Sequence, residues 1–123
     1  MDVLCRRTFT GHATHETFEV IVYHPKMISA DEWTCHVDIA SANHTDKVDV
    51  SGVDALQAIA LSGDHIRTRL IELSPELTWN DMSIEMAFPE SIPMYLGREF
   101  YNEVKVDIDR RLQEYVEKGS RDE

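Results

Sequence analysis

Glu32-Trp33-Thr34-Cys35-His36-Val37-Asp38-Ile39-Ala40 decides the fold. Trp33, Cys35, Val37 and Ile39 occupy every second position, with Thr34, His36 and Asp38 between them. Successive side chains of a strand point to opposite faces, so this period of two predicts a strand with one buried and one polar face. A sheet with one apolar face needs something to cover that face, and the rest of the chain can be read for the cover and for the neighbouring strands.

Upstream, Val3 to Phe9 is tolerant of β structure, Gly11-His12-Ala13-Thr14-His15 breaks the pattern, and Thr17 to His24 resumes it until Pro25. This predicts a hairpin whose second strand alternates Phe18, Val20 and Val22 with Glu19, Ile21 and Tyr23. Downstream, Asn43-His44-Thr45-Asp46 supplies a turn, and Lys47 to Val50 reads as a short strand with Val48 and Val50 inward. The period then lengthens to that of a helix: Val53, Leu56, Ile59, Ala60, Gly63, Ile66, Leu70 and Leu73 share one face. Ser51 with Asp54 reads as the cap that opens this helix, Ser74-Pro75 ends it, and Gly63 on the buried face reads as a point of close packing.

Between Pro75 and Pro93, Met82, Ile84, Met86 and Phe88 alternate as in a strand but lie among Asn80, Asp81 and prolines, so a fifth strand and an extended loop both fit. After Gly97, Phe100, Val104, Ile108, Leu112 and Tyr115 predict a second helix, frayed beyond Gly119. The expectation is an α+β fold: a four- or five-stranded antiparallel sheet packed by two long helices as a two-layer sandwich. With no repeat or linker, residues 1–123 read as one domain.

Twenty-three acidic against twelve basic residues give a formal charge of -11. Such a field repels phosphate backbones and anionic lipid surfaces and draws in basic proteins, so neither nucleic acid nor membrane is the expected partner. No run approaches the ~18 apolar residues of a membrane span. Met1-Asp2-Val3-Leu4-Cys5-Arg6-Arg7 has the wrong order for an export signal, which points to the cytoplasm and to Cys5 and Cys35 as reduced thiols.

Chemistry has few footholds. His12 and His15 form a lone pair, and no second pair of histidines or cysteines completes a zinc site, so no metal is expected. There is no Gly-x-Ser-x-Gly elbow, and the five glycines are too scattered to cradle a phosphate, so neither a catalytic site nor a cofactor is expected. The segment from Glu72 to Gly97 stands out instead, because it holds no lysine or arginine. It interleaves acids with Trp79, Met82, Met86, Phe88, Met94 and Tyr95, and aromatic anchors beside steering acids suit a surface for a basic protein. Glu76, Trp79, Asp81, Glu85, Glu90 and Tyr95 are its candidate partner-binding residues; the competing reading is a loop that caps the core.

Trp33-Thr34-Cys35 on a strand, then Gly52-Val53-Asp54-Ala55-Leu56-Gln57-Ala58 opening a helix, with Phe88-Pro89 and Ile92-Pro93, resembles a widespread family of uncharacterised bacterial domains, roughly from Trp33 to Gly97. The resemblance implies an α+β fold and a bacterial or phage-related source, and brings no active site with it. Ser62-Gly63-Asp64 within the helix departs from the unbroken apolar run expected there. Small acidic proteins of this kind are often immunity proteins, so the leading expectation is a non-catalytic immunity or inhibitor protein that neutralises a basic toxin or effector. The alternatives are a small-ligand-binding or enzymatic domain, and a scaffold that homodimerises through Ile21 and Tyr23.

Overall fold

The computed structural model describes residues 2–89 and 97–121. The chain divides into two compact units, Met1–Glu90 and Ser91–Glu123.

The first unit is built on β1 (Val3–Gly11), β2 (Thr17–Tyr23), β3 (Lys26–Ser29), β4 (Glu32–Ala40), β5 (Thr45–Gly52), α1 (Ala55–Leu73), β6 (Leu77–Trp79), β7 (Met82–Ser83) and α2 (Ile84–Ala87). All seven strands join one antiparallel sheet. β4 is its spine: one edge pairs with β5, the other with β2 and then β3. β1 follows on β2, and β6 and β7 continue from the far end of β1.

The sheet is thus larger than the four or five strands expected. β3 was hidden because all four of its residues are exposed and leave no burial pattern; Pro25 ends β2, and the chain then resumes pairing against the start of β4. β6 and β7 form a hairpin whose two loop residues, Asn80 (φ 50°) and Asp81 (φ 61°), both lie in the left-handed region, as a tight turn between twisted strands requires. The alternation from Met82 to Phe88 is not one strand. The Ser83 hydroxyl accepts from the Met86 N–H and starts the single turn of α2, which buries Ile84 and Ala87 three residues apart and leaves Met86 exposed.

α1 covers one face of the sheet through Ala58, Ser62, Ile66 and Leu70, packed over β4 and β5. Ala58, Ile66 and Leu70 join Phe9, Phe18, Val20, Cys35, Val37, Ile39, Leu77 and Ile84 in the apolar core, while the buried Ser62 hydroxyl donates to the Ala58 carbonyl of α1. Its N-cap is Asp54 rather than Ser51: the Asp54 carboxylate accepts from the Gln57 N–H at 2.8 Å, and Gln57 Oε1 reaches back to the Val53 N–H at 2.7 Å. Gly52 is the glycine this junction requires, since a Cβ there would collide with the amide nitrogen of Ala58 and lie 2.9 Å from its Cα. Gly63, expected at a close approach, has only Phe88 Cδ1 at 3.9 Å, so its missing side chain is not needed for packing.

The second unit contains α3 (Arg98–Arg121), opened by Gly97 at φ 101°, with Arg111 paired to Asp107 at 3.1 Å within the helix. No helix among the described residues is long and apolar enough to cross a membrane.

Candidate functional site

The face of the sheet opposite α1 carries the polar residues of the alternating strands, and three strands converge there. β4 presents His36 and Asp38, β2 presents Tyr23, and the β4–β5 register places Asp49 directly across from His36. The side chains form one chain of hydrogen bonds. Tyr23 Oη donates to Asp38 Oδ2 at 2.8 Å, His36 Nε2 donates to Asp38 Oδ1 at 2.8 Å, and His36 Nδ1 donates to Asp49 Oδ1 at 2.8 Å. The Tyr23 and His36 rings lie 5.3 Å apart at a tilt of 54°.

A ring held by a carboxylate on each nitrogen is satisfied only as the imidazolium, with two donors. Partial burial opposes the charge of His36, but the hydrogen bonds to Asp49 and Asp38 outweigh it and hold the pKa above its ordinary value. The Tyr23 pKa is raised as well, chiefly because Asp38 accepts its hydroxyl proton. Each ring nitrogen of His36 thus faces a carboxylate, and the two hydrogen bonds fix the orientation of the imidazole on the open face. Beside it His24, Lys26, Thr34, His36 and Asp49 line an open hollow of about 300 Å³.

A second polar cluster is a tie between layers. Asp46 at the start of β5 accepts from Arg69 Nε and from His44 Nε2, and Arg69 also pairs with Glu72 at 3.0 Å. The Arg69 guanidinium, with help from His44, keeps the Asp46 carboxyl below the usual carboxylate range.

The residues expected to bind a partner are placed as follows. Glu76 accepts from Thr14 Oγ1 at 3.1 Å, on the loop between β1 and β2. Trp79, half-buried on β6, lies under the Arg7 guanidinium, 4.1 Å from its ring centre, while Arg7 Nη1 donates to the Ala87 carbonyl at 2.8 Å. Asp81 is exposed in the β6–β7 turn and Glu85 is exposed on α2. Glu90 and Tyr95 lie outside the described residues, as do Ile92, Pro93 and Met94.

The Tyr23–Asp38–His36–Asp49 chain was not foreseen as a unit. The polar face of β4 is visible in the sequence, but Asp49 joins it only through the register with β5. Arg7 was missed because two adjacent arginines in a strand that also holds Thr8 and Thr10 give no sign of which one turns inward until Trp79 is known to lie beneath Arg7. Among the described residues no group of three or more His, Cys, Asp or Glu is placed to hold a metal ion, and Cys5 and Cys35 are both free thiols.

No curated protein and no solved structure matches this chain. A family model, described as a domain of unknown function, does match, over residues 5–90; it starts in β1, ahead of the Trp33–Gly97 stretch that carries the resemblance, and stops short of α3. The chain is a member of that domain family, DUF6968.

Proposed function

We propose that the unit Met1–Glu90 is a non-catalytic binding module that takes a basic protein partner on the β6–β7 turn and α2, as an immunity or inhibitor protein does. One observation carries this reading. Arg7 and Arg67 reach this part of the chain, yet there they donate to the main-chain carbonyls of Ala87 and Phe88, and Arg67 pairs otherwise with Asp64. Asp81 and Glu85 therefore stay exposed and form no ion pair among the described residues, on either side of Met82 and next to Met86, which is 65% exposed. An accessible thioether beside unneutralised carboxylates supports contact with a cationic surface that also offers an apolar pocket. The formal charge of -11 supports fast, salt-sensitive encounter with such a partner.

The test is co-purification from the native host with the wild-type chain, the double variant Asp81→Lys/Glu85→Lys and Met86→Ala. A stoichiometric basic partner retained by the wild type, released by salt and lost with the double variant is the expected result. Capture that is indifferent to both salt and charge reversal would end the proposal.

A further inference from the structure

Within Met1–Glu90 the sheet ends on β5, whose eight residues are paired along one side only, with β4. Natural edge strands are blunted by bulges, prolines, short length or charge. β5 pairs with β4 from Thr45 to Gly52 without a register shift and contains no proline, so only its charges, Asp46, Lys47 and Asp49, guard the open side. Asp46 is already bound by Arg69 and His44. Lys47 and Asp49 are exposed, two residues apart, with opposite sign.

We infer that β5 is a docking edge for a second copy of this chain, pairing antiparallel about a two-fold axis through Val48. Residues opposite one another in an antiparallel pair point to the same face, so an axis normal to the sheet passes through a residue of β5 and keeps the two copies' α1 layers on one side. Each choice of axis fixes every cross-strand pair. Through Lys47 it sets lysine against lysine, and through Asp49 aspartate against aspartate. Through Val48 it sets Lys47 of each copy against Asp49 of the other, twice over, with Thr45 facing Ser51. The charges that repel in the neighbouring registers therefore attract in this one.

Asp49 can serve both partners: its Oδ1 accepts from His36, yet its side chain remains 68% exposed. α1 adds an apolar contribution. Leu61, His65 and Arg69 follow one another at four-residue intervals, and the Arg69–Asp46 contact turns that side of the helix toward β5. Leu61, 40% exposed, is thus an uncovered apolar side chain on the side facing the seam. Pairing through β5 would also make the two open faces, each with its Tyr23–Asp38–His36–Asp49 chain, continuous.

Sedimentation equilibrium of the full chain, of K47E, of D49K and of the two variants mixed, at about 0.15 M salt, tests this. The wild type is expected to dimerise below about 0.1 mM, and each single reversal to weaken self-association by about tenfold or more, since like charges then meet at two places. Mixing the variants is expected to restore the dimer, because K47E against D49K again sets opposite charges at both places. Circular dichroism checks that each variant is folded. If D49K is unfolded by its lost contact with His36, K47E alone decides, since Lys47 makes no ion pair among the described residues. A wild type that stays monomeric at about 0.1 mM, a dimer unchanged by K47E, or a mixture of folded variants no more associated than either alone would overturn the inference.

Discussion

The two faces of β4 have the same spacing and are held by different physics. On one, Cys35, Val37 and Ile39 are sealed against α1 with at most 1% of their surface exposed, and any large apolar side chain of the right volume would serve. On the other, Thr34, His36 and Asp38 are only partly buried, and what holds His36 and Asp38 is a set of hydrogen bonds in which both ring nitrogens and both carboxylate oxygens have a partner. The first face tolerates changes of identity and resists loss of volume. The second tolerates loss of volume and resists changes of identity.

The comparison breaks most sharply at Ile39. Ile39→Ala is expected to cost about 3 kcal/mol through lost transfer energy and a cavity, read as a fall in the denaturant midpoint without a change of slope. Next comes Asp38→Ala on the opposite face, which leaves Tyr23 Oη and His36 Nε2 without their acceptor; about 1–2 kcal/mol is expected, and Asp38→Asn should recover only part of it.

A pH series sharpens the contrast further. The folded pKa of His36 lies above its unfolded value, so its contribution is complete below the ordinary histidine range and is lost as pH rises through the folded pKa. Asp46 works in the opposite sense: its lowered pKa gives stability that is present at neutral pH and lost as the solution is acidified through the carboxylate range. His36→Gln should flatten the alkaline fall while leaving the acid limb in place, and NMR titration of the imidazole should locate the midpoint above that of a solvated histidine. The smallest effect belongs to Arg6→Ala. Its 2.7 Å pair with Glu19 is on the open face but well exposed, and removing it should change stability by less than about 0.5 kcal/mol. A larger loss would mean that the open face acts as one cooperative layer.

The period of two in β4 and the longer period in α1 were enough to specify an apolar sheet face with a helix across it, because burial imprints itself on residue spacing. Where burial is absent the imprint is absent too, and β3, exposed along its whole length, left none. From Met82 to Phe88 the imprint misled: Ile84 and Ala87 are the buried pair, and the Ser83 hydroxyl, a local bond that spacing does not record, turned a strand into a helix. The polar chain across Tyr23, Asp38, His36 and Asp49 was half legible, since the sequence places His36 and Asp38 on one face but not the strand that lies beside them. The acids of the β6–β7 turn and α2 were visible from the start; that Arg7 and Arg67 donate to carbonyls there, and that Asp81 and Glu85 form no ion pair among the described residues, is set by the tertiary fold.

Arg7 has one more consequence. Its bond to the Ala87 carbonyl spans 80 positions of the chain, and its guanidinium stacks on Trp79 and comes within 5.1 Å of the Phe88 ring centre. Closing a contact across so long a stretch of chain costs more loop entropy than closing a local one. Its closure also brings the first strand of the unit beside its last helical turn, the arrangement that circular permutation exploits. A permuted chain joined between these ends, with new termini in the loop at Asn43, should fold with the same sheet and should gain speed where the native order is slowest.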